Sequence, residues 1–132
     1  MSDDFSGRIA WVTGAGGALG AAIARTLAAQ GATVCLSGRK RDSLDAVAAD
    51  IAKGRAQVMP MDMASRADVD RTAAAILADH RRIDFLVNCT ALPIFGAFLE
   101  LADDDWEQVL QAKLLGYVRT IRATLPSMVE RR

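Results

Sequence analysis

Four short apolar runs punctuate the chain: RIAWVT (8–13), ATVCLS (32–37), AQVMPM (56–61) and DFLVN (84–88). Each is nearly continuous in apolar residues rather than alternating, the pattern of strands covered on both faces of a parallel sheet. Between them the spacing becomes helical. Leu19, Ile23 and Leu27 mark a stripe on a helix from about Ala18 to Gln30, with Gly31 as its stop signal. A second helix is expected to open at Asp42 as N-cap, bury Leu44, Val47, Ala48 and Ile51, and end at Gly54. Ser65 opens a third, with Asp68 three residues on in a capping-box arrangement that has Asp in place of Glu. Its buried face is Val69, Ala73, Ile76 and Leu77. The last and longest helix runs from about Asp103 to Glu130. Trp106, Leu110, Leu114, Tyr117, Ile121 and Leu125 recur along it, and Pro126 falls where it would kink the end.

Strands alternating with helices at these intervals predict βαβ units with right-handed crossovers. The expected fold class is α/β, a Rossmann-like doubly wound parallel sheet with strand order 3-2-1-4 and flanking helices. At 132 residues the chain is read as one domain, residues 1–132. Sixteen basic residues balance sixteen acidic ones, so no overall field attracts nucleic acid or an anionic membrane. Cys35 and Cys89 lack a Cys or His partner at metal-ligand spacing, and both lie inside apolar runs. They read as core thiols of a reducing compartment. The opening MSDDFSGR is acidic where a signal peptide is basic and then apolar, and no apolar stretch reaches the roughly 18–20 residues of a membrane span. A cytoplasmic protein is expected.

The candidate chemistry sits in WVTGAGGALG, residues 11–20, where the first strand gives way to the first helix. A helix N-terminus offers unpaired amides and the positive end of a dipole, which attract phosphate. Glycine removes the Cβ atoms that would hold a diphosphate away. Gly20, in the first helical turn, lets that helix lie close to the sheet. The spacing is not G-x-G-x-x-G, since Leu19 stands at the third glycine, and no Gly-Lys-Ser/Thr follows to make a P-loop. A tight strand-to-helix connection with no ligand is the plainer alternative.

Thr13, Gly14, Ala18 and Gly20 resemble the T-G-x-x-x-[GA]-x-G of the short-chain dehydrogenases/reductases. MDMAS after the third strand, DFLVNCTA at the fourth and DWEQVLQAKLLGYVRTIRATLPSM resemble further motifs of that family, in order over nearly the whole chain. The resemblance implies a nicotinamide dinucleotide held by Gly14, Gly17, Leu19, Gly20, Arg39, Asp62, Met63 and Asn88. Asp62 would accept the adenine amine and the Met63 amide would bond a ring nitrogen. The second strand ends in LSGRKR with no acidic residue for a ribose 2′-hydroxyl, and Arg39 there suits a 2′-phosphate. NADP(H) is therefore expected over NAD(H), although a solvated basic turn has the same composition. Cys89, Thr90 and Ala91 depart from the family's N-N-A-G after Asn88, which is equally readable as a sheet-end structural residue. Lys113 stands at the family's active-site Asn, where it cannot accept a hydrogen bond. Alternatively its stem packs on the apolar face while its head reaches water.

The family's proton relay uses a serine and a Tyr-x-x-x-Lys pair, the lysine lowering a phenol pKa that is otherwise near 10. Tyr117 is this chain's one tyrosine, and residue 121 is Ile. The sequence is thus expected to be an N-terminal, cofactor-holding portion of an alcohol- or carbonyl-linked oxidoreductase, with no catalytic residue of its own and with self-association through exposed apolar surface. Two rivals are a non-catalytic nucleotide-binding or dimerising relative, favoured by Cys89–Ala91 and Lys113, and a Rossmann-like methyltransferase, opposed by the glycine spacing and Arg39.

Overall fold

The computed structural model describes residues 4–132. Strands β1 (Ile9–Thr13), β2 (Thr33–Ser37), β3 (Ala56–Val58) and β4 (Phe85–Asn88) form one parallel sheet in the order β3-β2-β1-β4. Thr13 pairs with Ser37 on one side and Asn88 on the other, so three strands end at the same level. β3 is shorter than the apolar run 56–61 predicts. Past Val58 the chain leaves the ladder, and Met59 and Met61 donate to Leu36 O and Gly38 O as it turns toward the site.

Both faces of β1 are covered, and its side chains alternate between them. Ala10 and Val12 join Val34, Leu36 and the small face of α1 (Ala18–Ala29) with Leu44 and Val47 of α2 (Arg41–Ala49). Ile9 and Trp11 join Cys35 and α3 (Arg66–His80), with Val69, Ala73 and Ile76, and the long helix beyond. This is the doubly wound architecture, and its crevice lies beyond the carboxyl ends of the strands. Trp11 is fully buried, and its indole N–H donates to Ser37 Oγ at 2.9 Å, so the buried donor is satisfied.

Several local expectations need correction. On α1 the fully buried face is Gly20, Ala21, Ala24 and Ala28; of the predicted stripe Leu27 packs half-buried against the core, while Leu19 is 67% exposed. Close approach to the sheet selects small residues over large ones there. α2 is capped at Lys40 without a side-chain bond, so Asp42 lies inside its first turn and favours the dipole instead; the helix ends at Ala49, short of Gly54. α3 does open on Ser65, whose Oγ accepts from the Asp68 amide at 3.2 Å, but the Asp68 carboxylate reaches back to the Asp62 amide rather than completing the box.

The long helix is α4 (Asp103–Val109), a π-wound turn (Leu110–Leu115) and α5 (Gly116–Arg131), which winds through Pro126. Its inner face is small and polar: Ala112, Gly116, Thr120 and Thr124 are buried. A Cβ on Gly116 would lie 2.8 Å from Met63 O, which is why glycine stands there. Of the predicted apolar stripe, Tyr117 packs against the core, and the other members form the exposed apolar surface expected of this helix. Trp106, Leu110, Leu114, Ile121 and Leu125 are each between 43% and 56% exposed. No helix among the described residues is long and apolar enough to cross a membrane.

Candidate functional site

The turn after β1 is built by two glycines that exclude any side chain. Gly14 has φ +64°, and a Cβ there would sit 2.4 Å from the Cys89 carbonyl oxygen. A Cβ on Gly20 would sit 2.2 Å from Gly14 O, so α1 begins with its backbone directly on the turn. The turn is held by Ala15 N donating to Ser37 O at 3.0 Å and Gly17 N donating to Gly14 O at 3.1 Å. Gly17 caps α1 and offers no side-chain acceptor, and the first turn holds no acidic residue. Amides at such a start are left for water or an anion.

In front of this turn lies an open cavity of about 660 Å³, within the range of small-ligand sites. Gly14, Gly16 and Gly17 form its floor, Arg39, Lys40 and Ser43 one side, Asp62–Ala64 a second, Cys89–Leu92 a third, and Asp104, Glu107, Gln108 and Gln111 the far wall. The cavity is therefore basic next to β2 and acidic or amide-lined along α4. Asp62 Oδ1 accepts from the Ala64 amide at 2.9 Å, a local turn that fixes the carboxylate at the rim.

Behind the wall, Asn88 Oδ1 accepts from the hydroxyls of Thr13 and Thr120, both at 3.1 Å. One amide thus ties β1, β4 and the long helix together at the sheet end. Tyr117 OH donates to Thr90 O at 3.2 Å and pins the exit of β4. Burial raises the Cys89 thiol above its ordinary pKa. Burial, and then the neighbouring Cys89, does the same for the Tyr117 phenol, so both stay neutral near pH 7. Cys35, inside the core, is pushed up to about 12 by burial and then by Asp79. Among the described residues, Thr72 and Thr90 each carry a buried hydroxyl oxygen without a hydrogen-bond partner.

Sequence comparison meets this geometry directly: the family model for short chain dehydrogenase matches residues 8–132. The chain belongs to the short-chain dehydrogenase family. It is 39% identical to nodulation protein G of Rhizobium meliloti (strain 1021) over 129 residues, covering 98% of this chain and 52% of that protein. A metagenomic short-chain oxidoreductase crystallised in complex with NADP superposes with a TM-score of 0.92 at 34% identity, over 96% of this chain and 59% of that one. L-Sorbose reductase from Gluconobacter frateurii, complexed with NADPH and L-sorbose, gives a TM-score of 0.90 at 28% identity, covering 99% of this chain and 51% of that one. The chain spans about half the length of the curated relatives it matches.

Of the residues singled out from the sequence, Gly14, Gly17, Arg39, Asp62 and Met63 meet at the cavity. Gly20 lies under the floor, Asn88 behind the wall, and Leu19 stands exposed on the first helical turn. Lys113 is exposed on the π-wound turn and does not line the cavity, whereas its neighbours Gln111 and Ala112 do. The far wall from α4 was not foreseen. Its one sequence signal is the polar face interleaved with Trp106 and Leu110, which ordinary solvent exposure explains equally well.

Proposed function

We propose that this chain is the cofactor-holding portion of an NADP(H)-linked oxidoreductase, residues 1–132 forming its dinucleotide-binding domain, whose complete form acts on an alcohol or carbonyl substrate. The observation that carries the reading is the bare backbone cradle: two positions, Gly14 and Gly20, where any Cβ would collide, at an uncapped helix start facing a cavity with Arg39 on its rim. A diphosphate fits amides presented without side chains. In this reading the backbone of Gly14, Gly17, Leu19 and Gly20 takes the diphosphate, Arg39 pairs with a 2′-phosphate, Asp62 and Met63 take the adenine edge, and Asn88 holds the sheet end that carries the ribose-facing wall.

The bound nicotinamide supplies or accepts a hydride. This chain's residues bind and orient it but hold no matched proton donor. Tyr117 gives its hydroxyl hydrogen to Thr90 O, and its fourth successor is Ile121. Turnover therefore needs a serine, tyrosine and lysine from outside these residues. The outward Lys113 favours one rival, a nucleotide-binding or dimerising relative without catalysis. We further assign the protein to the cytoplasm, without a nucleic-acid or membrane partner, and to self-association along its long helix.

Titration of the purified chain with NADPH and NADH tests the reading. NADPH binds the tighter by roughly tenfold or more, a guanidinium–phosphate pair being worth about 1.5–3 kcal/mol, and Arg39→Asp abolishes the difference. Equal affinities, or a preference for NADH unchanged in Arg39→Asp, defeat the NADP(H) assignment. Steady NADPH oxidation by this chain alone with any carbonyl compound defeats the account of the proton relay.

A further inference from the structure

Gln111 stands in the far wall of the cavity, and its amide has a fixed sense. Arg119 Nη2 lies 3.1 Å from Gln111 Oε1. A guanidinium has only donors, so the amide oxygen must face Arg119 and the NH₂ group is what remains for the cavity. The same guanidinium donates through Nη1 to Ala64 O at 3.1 Å. Ala64 lines the cavity immediately after Asp62 and Met63. One planar group thus joins the helix wall to the loop wall across the π-wound turn.

We propose that Gln111 is a base-reading residue, with Arg119 as its positioning residue: the Gln111 amide donates to N7 of an adenine whose amine is accepted by Asp62. This rests on the dinucleotide reading above. The amine edge of adenine presents one donor flanked by two ring-nitrogen acceptors. Asp62 Oδ1 is engaged by the Ala64 amide, which leaves Oδ2 as an acceptor, and Asp62 and Met63 approach from the loop side. The second ring nitrogen then falls to the opposite wall, where Gln111 offers a donor. Gln111 is the wall residue whose donor sense is set by a partner. Without Arg119, its amide is free to flip and present oxygen to N7.

The probe pair is ADP and 7-deaza-ADP, which differ by replacement of N7 with C–H, titrated against the 132-residue chain and its variants. The wild-type chain binds ADP roughly fivefold more tightly, the worth of one hydrogen bond. Gln111→Ala brings the ratio to about one. Gln111→Glu keeps the Arg119 pairing but places an acceptor at N7, so it lowers ADP affinity further than Gln111→Ala does. Arg119→Ala shrinks the ratio, and Arg119→Lys restores part of it. A general loosening of the fold weakens both probes alike and leaves the ratio unchanged, and that result overturns the proposal. So does a wild-type chain that binds both probes equally, or a Gln111→Ala chain that keeps the preference. A wild-type chain that binds neither ADP nor NADPH removes the dinucleotide reading and this assignment with it.

Discussion

Gly14 shows how one residue couples backbone conformation to the site. Its φ of +64° disfavours every L side chain, and the Cys89 carbonyl occupies the place a Cβ would take. Gly14→Ala therefore strains the backbone by about 1–3 kcal/mol from the left-handed conformation alone. It also pushes the β1 and β4 exits apart. Thermal melting with NADPH titration is expected to show a lowered Tm together with at least a tenfold loss of affinity. Wild-type binding by Gly14→Ala refutes the close approach on which the cradle depends. The neighbouring Asn88 was readable from sequence in two ways, as ligand contact or as sheet-end brace. Its oxygen accepts two threonine hydroxyls from different elements, and a motif cannot reveal that because Thr120 lies far along the chain.

Among the elements, α3 and β4 carry the clearest electrostatic and capping features. Ser65→Ala removes the side-chain acceptor for the Asp68 amide and is expected to cost about 1 kcal/mol, measured by urea unfolding. At the start of β4, the Asp84 side chain is only 7% exposed. Burial would raise its pKa, yet the Arg82 guanidinium, the Ile9 amide and Arg8 together hold it below the ordinary carboxylate value. Arg131, at the end of the long helix, donates to Ile83 O at 2.7 Å and closes the same cluster. In the folded chain Asp84 thus binds its proton less readily than in the unfolded chain. Its stabilising contribution is complete above the unfolded carboxylate pKa of about 3.9 and is lost as pH falls below that toward the depressed folded value. Asp84→Asn is expected to lower stability at pH 7 by about 1–3 kcal/mol and to flatten the pH dependence of Tm below about pH 4. An unchanged acid limb in that variant removes Asp84 as the source. The existence and order of these elements were legible from the apolar periods, and so was the Ser65 cap of α3, whereas the start of α2 was not. α2 starts at Arg41 after Lys40, a residue with no capping side-chain bond, so no side-chain signal marks its start.

For the whole molecule, the exposed apolar face of the long helix has the largest consequence. Trp106, Leu110, Leu114, Ile121 and Leu125 lie outward, and Phe98 packs edge-on against Trp106 at 5.8 Å. β4 forms the edge of the sheet, with β1 as its sole strand neighbour among the described residues. Apolar patches and bare edges of this kind favour association. Sedimentation of the chain at micromolar concentration is expected to show a dimer or larger species, and Leu114→Glu with Ile121→Glu is expected to shift it toward monomer while preserving its circular dichroism. A wild-type chain that sediments as a single monomer and melts cooperatively refutes this.

The α/β class was written in the one-dimensional pattern because strand and helix periods are local, and the order β3-β2-β1-β4 followed from right-handed βαβ crossovers. The glycines of the cradle were readable too, although the carbonyl that excludes a Cβ at Gly14 belongs to distant Cys89. The inner face of the long helix was not. The apolar period marked Leu110, Leu114 and Ile121 as one stripe but said nothing of the opposite face, and it is the small face of Ala112, Gly116, Thr120 and Thr124 that the sheet accepts. The same is true of the cavity's far wall and of the Arg119 bridge to Gln111 and Ala64. Both depend on which face of a helix meets which loop, and steric fit between distant segments decides that.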